Sequence, residues 1–62
     1  MPFITVLALK GRTLEQRRLF ADEITRLAVK CLDAKPEEVR VRFVEMDATE
    51  FARGGRLFAD QS

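Results

Sequence analysis

Met1-Pro2-Phe3-Ile4-Thr5-Val6-Leu7-Ala8-Leu9 opens the sequence, and the architecture is built on this run. From Phe3 onward it is apolar and rich in strand formers, with Thr5 the one polar residue. Apolarity with so little alternation predicts a strand covered on both faces. Pro2 suits the position just before such a strand, because no ladder hydrogen bond is required of it there. Its nitrogen has a second potential. Inside a chain it is an amide with no proton and no basicity. If Met1 is removed it becomes a secondary amine at the edge of a packed sheet, titrating near neutrality.

Lys10-Gly11-Arg12 ends the strand, with Gly11 as the turn residue. Thr13 and Gln16 have the spacing of a capping box, and Glu15 places negative charge in the first turn. A helix is expected from about Leu14 to Leu32. Phe20, Ile24, Leu27, Ala28 and Cys31 recur on one face, flanked by Leu14, Leu19 and Leu32. Nineteen residues span roughly 28 Å, enough to cover a small sheet lengthwise. Arg17, Arg18, Asp22, Glu23, Arg26 and Lys30 fill the other faces, with Glu23 within reach of Arg26 or Lys30. Cys31 reads as a buried small hydrophobe.

Asp33-Ala34-Lys35-Pro36-Glu37-Glu38 is the connector, in which Pro36 ends the helical pattern from upstream and suits the start of a short helical turn. Val39 to Met46 then reads as a second strand. Val39, Val41 and Phe43 share one face; Arg40, Arg42 and Val44 share the other. Strand, helix and strand at this length predict a right-handed crossover and two parallel strands. Gly54-Gly55 marks a turn, and Arg56 to Ala59 is expected to form a short strand after it. The resulting hairpin is expected to lie against a neighbouring subunit, and Asp60-Gln61-Ser62 to fray. The expectation is an α/β chain, β-α-β with a short C-terminal hairpin, as one domain over residues 1–62.

With 62 residues the chain forms one small domain, burying only about 60% of its unfolded surface. One cysteine excludes an intrachain disulfide, and the absence of histidine removes the commonest metal ligand and general base. An apolar fraction of 47% is high for such a length. Two strands and one helix leave open edges and a bare sheet face, so the core is expected to be completed by oligomerisation. Eleven basic and ten acidic residues give a formal charge of +1, which argues against a general nucleic-acid or membrane binder. No apolar run is long enough for a bilayer and no secretory leader is recognisable, so a cytoplasmic protein is expected.

Among the bases present, Pro2 stands out. Nearby cations and partial desolvation would lower its amine pKa and leave it neutral at cellular pH. A base so poised takes a proton and returns it. Arg12 follows the first strand and Arg40 lies early in the second, so a parallel pairing places them at opposite ends of the sheet. One subunit need not bring both to one pocket; an oligomer can. Arginine grips carboxylates bidentately, and cations beside Pro2 would attract a dianion and stabilise a developing enolate. Each arginine taken singly also fits a solvated or salt-bridged role, and Phe51 fits either a pocket wall or the core.

Pro2, Gly11-Arg12, Glu15-Gln16, Val39-Arg40-Val41, Glu45-Met46, Phe51 and Gly54-Gly55, in this order and spacing, resemble the 4-oxalocrotonate tautomerase family from Pro2 to about Leu57. The resemblance implies a β-α-β subunit in a hexamer arranged as a trimer of dimers. It implies removal of Met1 and a proton-shuttling Pro2. It further implies that Arg12 binds the substrate carboxylate distant from the reacting group, and that Arg40 of a neighbouring subunit binds near the 2-keto or 2-hydroxy group. Phe51 and Leu9 are implied to line the pocket. The family's representative substrate is 2-hydroxymuconate, ketonised during breakdown of aromatic compounds. The chain departs from the family where Ala52-Arg53 replaces glycine and an aliphatic residue, and at its acidic, polar end.

The leading expectation is thus a tautomerase acting on a small dicarboxylate dienol or keto acid, needing neither metal nor organic cofactor because the conjugated substrate delocalises the charge. The alternatives are a related hydratase, dehalogenase or decarboxylase on small unsaturated acids, for which no carboxylate is placed in the pocket by sequence, and a non-enzymatic or nucleic-acid module using Arg40, Arg42, Arg53 and Arg56. A homo-oligomer is expected, with a mixed assembly as the alternative.

Overall fold

The computed structural model describes residues 1–61. Strand β1 (Phe3–Leu9) leads into helix α1 (Leu14–Leu32), and β2 (Arg40–Met46) returns beside β1 in parallel. Two further strands, β3 (Ala52–Arg53) and β4 (Arg56–Leu57), form a separate antiparallel hairpin. Single turns of 3₁₀ helix occupy Pro36–Glu38, Ala48–Glu50 and Phe58–Asp60.

The expected capping box forms. Thr13 Oγ1 accepts from Gln16 N at 3.1 Å, and Gln16 Oε1 accepts from Thr13 N at 2.8 Å, which satisfies two backbone donors that the first turn leaves orphaned. Asp33 ends α1 in the left-handed region, at φ 55°, a conformation that aspartate tolerates better than most residues. The ladder of β1 and β2 begins with Arg40 N donating to Pro2 O at 3.0 Å and ends with Lys10 N donating to Met46 O at 2.9 Å. Its register sets Phe3 beside Arg40, Thr5 beside Arg42, Leu7 beside Val44 and Leu9 beside Met46. These pairs share the bare face. Ile4 and Val41, then Val6 and Phe43, share the face under α1, where Phe43 meets Phe20 edge-on at 6.1 Å.

Several expectations change. β1 is covered on one face only: Phe3 is 72% exposed and Leu7 62%. One chain supplies one helix, which cannot cover both faces of a sheet. The apolar stripe of α1 is also wider than two strands can cover. Among the described residues only Ala28 is buried; Leu14, Leu19, Phe20, Leu27 and Leu32 are exposed. Cys31 is exposed as well, not buried, at the edge of a hollow shared with Ile4, Ile24, Leu27 and Leu32. Arg26 pairs with Asp22 at 3.2 Å instead of with Glu23, the geometry of an i, i+4 pair. β2 starts at Arg40, because Val39 still closes the preceding 3₁₀ turn with its N–H on Pro36 O. The strand expected over residues 56–59 stops at Leu57, and Phe58 begins a 3₁₀ turn. Gln61 N donates to Phe58 O at 3.0 Å, so that turn is closed; Ser62 lies outside the described residues.

The shape follows from the missing cover. The chain extends 43 × 24 × 13 Å with a radius of gyration of 14.9 Å, against about 10.6 Å for a compact domain of this length. Its accessible surface is 5124 Å², against about 4,100 Å² for a folded monomer of its mass. The excess, about 1,000 Å², is what an interface would remove.

Asp47 fastens the tail to the sheet. Its carboxylate accepts from Lys10 Nζ at 2.8 Å, from Thr49 Oγ1 at 2.6 Å and from Thr49 N at 3.1 Å, while Glu50 Oε1 accepts from Asp47 N at 2.8 Å. The Lys10 bond, then the two Thr49 bonds, hold the Asp47 carboxyl far below its ordinary range, and Asp47 in turn raises Lys10. A carboxyl depressed on folding stabilises the fold above its unfolded value of 3.8 and loses that contribution as pH falls through the folded value. Asp47→Asn is therefore expected to lower the thermal midpoint at neutral pH and to show a shallower decline than the parent below pH 3.8, in melts from about pH 2 to pH 7.

Candidate active site

The two ends of the sheet hold different parts of the expected site. At one end lie Pro2 and Arg40, joined by the first bond of the ladder. Pro2 is half-buried, and Met1 before it is 66% exposed. The Arg40 guanidinium donates through Nη1 to the carbonyls of Glu38 at 3.1 Å and Glu37 at 3.4 Å. The alternation of β2 puts Arg40 and Arg42 on the bare face.

Leu9 and Arg12 lie at the other end. Arg12 folds back so that Nη1 donates to Leu9 O at 2.7 Å. Arg12 also lines a cavity of about 340 Å³ with Val6, Phe20, Phe43, Arg17 and Glu45. The tail departs from this same end, because Met46 pairs with Leu9. It carries Phe51, which is 37% exposed and lies 6.0 Å from Phe58, ring centre to ring centre. Phe51 is therefore an open aromatic surface and not core.

Between Pro2 and Leu9 the strand advances seven residues, about 23 Å. An arginine side chain cannot bridge that distance. Leu9 and Arg12 are brought together, Pro2 and Arg40 are brought together, and the two groups are kept apart, as the parallel pairing required.

Among the described residues, four cations form ion pairs: Lys10 with Asp47, Arg17 with Glu45, Arg18 with Glu15, and Arg26 with Asp22. Arg12 and Arg40 are not in that set. Both donate to backbone carbonyls, which leave the guanidinium charge uncompensated and further N–H groups available. The pair of Arg17 with Glu45, not expected from the sequence, puts a carboxylate into the cavity beside Arg12. A signal was present: Glu45 continues the alternation of Val41 and Phe43, a charge on an apolar face that calls for a partner from the helix. No group of three or more potential metal ligands is found among the described residues.

Residues 2–61 match the family described as tautomerase enzyme. The chain belongs to the 4-oxalocrotonate tautomerase family. It is 33% identical over 60 residues to 2-hydroxymuconate tautomerase of Bacillus subtilis strain 168, covering 97% of each chain. The crystal structure of YwhB, a homologue of 4-oxalocrotonate tautomerase, superposes with a TM-score of 0.94 at 31% identity, over 98% of this chain and 100% of that one. A heterohexamer 4-oxalocrotonate tautomerase from Chloroflexus aurantiacus gives a TM-score of 0.90 at 27% identity over the full length of both chains. Membership makes the chain a tautomerase, an enzyme of the isomerase class. As in those structures, two parallel strands, one long helix and a short hairpin form the tautomerase fold. No helix among the described residues is long and apolar enough to cross a membrane.

Proposed function

We propose that this tautomerase ketonises 2-hydroxymuconate-like dienols in a site assembled between copies of the chain, after removal of Met1. The neutral Pro2 amine takes the proton of the substrate 2-hydroxyl group. Electron density moves through the conjugated chain, and the same amine returns the proton at C5 to give the conjugated 2-oxo acid. Arg40 of a neighbouring chain binds on the C1 side and stabilises charge on the oxygen at C2. Arg12 anchors the far carboxylate through a bidentate bond. Phe51 and Leu9 wall the pocket and exclude water, which strengthens both ion pairs. The diene itself spreads the charge, so no cofactor enters the reaction.

The observation that carries this reading is the separation of the site residues, with Arg12, Leu9 and the Phe51 segment at one end of the sheet and Pro2 at the other. The uncovered face carrying Phe3, Leu7 and Arg40 supplies a surface for a second copy. Six identical chains, as a trimer of dimers, would cover that face and join the two ends.

Intact mass and native mass measured on one preparation, paired with ultraviolet assay of 2-hydroxymuconate, test the proposal. The expected result is a processed chain without Met1, in assemblies of six, that converts the dienol. An active monomer, or full activity with Met1 attached, would sink it.

The position of Glu45 beside Arg12 favours one other reaction, hydration of an unsaturated acid with a carboxylate activating water and protonated Pro2 as the acid. The acid limb separates the two. Tautomerisation falls as Pro2 takes its proton, whereas hydration requires that proton.

A further inference from the structure

The hairpin that carries Phe51 also carries two cations that the proposed reaction does not use. Arg53 stands directly opposite Arg56, and Ala52 opposite Leu57. One step further out, Phe58 N donates to Phe51 O at 2.8 Å, so Phe51 and Phe58 are also opposite. Residues opposite in an antiparallel pair share a face, and so do residues two apart. Phe51, Arg53, Arg56 and Phe58 therefore occupy one face of the hairpin, and Ala52 and Leu57 the other.

Gly54 and Gly55 make this possible. Both have positive φ, 61° and 79°, the signature of the tight turn that matches the twist of a two-residue hairpin. Two like charges set opposite each other are unfavourable in a strand pair. Among the described residues neither arginine forms an ion pair, and the partner of Arg56 is a carbonyl, with Nη2 donating to Asp60 O at 2.9 Å. An aromatic pair bordered by two uncompensated guanidinium groups suits a flat, conjugated ligand with an anionic substituent.

We propose that Arg53 and Arg56 select substrates carrying a third anionic group beside the conjugated chain, in addition to the two carboxylates assigned to Arg12 and Arg40. This rests on the assignment of Phe51 as a pocket wall, because the two arginines share its face. A carboxylate on the side of the chain accepts from both guanidinium groups while the diene lies against Phe51. The charge that destabilises the empty hairpin then becomes the source of selectivity.

The test compares kcat/KM for phenylenolpyruvate, 2-hydroxymuconate and 4-carboxy-2-hydroxymuconate, with one, two and three carboxylates. Arg53→Ala/Arg56→Ala is expected to lower kcat/KM for the tricarboxylate by about ten- to a hundredfold, the range for losing charge-assisted hydrogen bonds, with under about twofold change for the monocarboxylate. Arg53→Lys/Arg56→Lys keeps the charge and is expected to retain most of the preference for the tricarboxylate. An equal fall on all three substrates overturns the inference, as does no fall on the tricarboxylate in a variant with parental native mass. The base assignment is judged separately, by whether Pro2→Ala abolishes turnover of phenylenolpyruvate.

Discussion

Pro2→Ala is expected to leave the assembly intact and to lower kcat for 2-hydroxymuconate by about 10²- to 10⁴-fold, the range attributed to a positioned general base. The ladder bond at this position is accepted by the Pro2 carbonyl, which alanine retains, so β1 and its register have no reason to change. What changes is the base. Alanine at the processed terminus presents a primary amine that rotates freely, where proline presents a secondary amine locked by its ring. The proton acceptor then spends little time in line with the 2-hydroxyl group, and the loss falls on kcat more than on KM. Circular dichroism and native mass verify the fold and the assembly, and the dienol absorbance gives the rate. A chain that keeps Met1 is expected to be more impaired still, because its Pro2 nitrogen is an amide. Parental turnover in either protein would remove Pro2 from the mechanism.

Arg12→Ala and Arg40→Ala are expected to separate binding from turnover. Losing the distal carboxylate contact raises KM by about ten- to a hundredfold, as expected for a charge-assisted bond of 1.5–3 kcal/mol, with kcat nearly constant. Losing Arg40 raises KM and also lowers kcat, because charge develops on the oxygen it faces during the reaction. Mixing gives the sharper result. Pro2 and Leu9 lie about 23 Å apart along β1, and Arg12 is held at the Leu9 end, so the proposed site takes Pro2 and Arg12 from different chains. Assemblies reconstituted from Pro2→Ala and Arg12→Ala chains are expected to recover sites in which both groups are native, and activity should rise well above that of either variant alone. No recovery on mixing, in assemblies shown by mass to contain both chains, would place the whole site within one chain.

The elements that were legible in the sequence are those whose signals are local. Thr13 and Gln16 announce the start of α1 by their spacing. The apolar run from Phe3 to Leu9 and the alternation from Val39 to Met46 announce the strands, and Gly54-Gly55 the turn. The placement of Arg12 and Arg40 at opposite ends followed from parallel pairing alone. Features that depend on cover were not legible. Cys31 and Leu27 have the composition of a core, but one helix over two strands leaves them at its edge. The pair of Arg17 with Glu45 spans 28 residues, and only the crossover brings its members together. Of the three bonds on Asp47, two arise from a 3₁₀ turn too short to carry a periodic signal, and the third comes from Lys10 across the sheet. Phe58 leaves the strand for a 3₁₀ turn, and its opposition to Phe51 follows from the register that the Gly54-Gly55 turn sets.

The 13 Å thickness and the single side chain buried among the described residues have a consequence for how much enzyme exists at all. A slab with almost no interior owes its cohesion to mass action. Dilution then acts on it as urea acts on a self-sufficient domain, and the rate of synthesis sets the folded fraction as well as the amount of protein. A newly made chain that finds no companions offers its greasy side to proteases, so scarcity of this catalyst deepens itself.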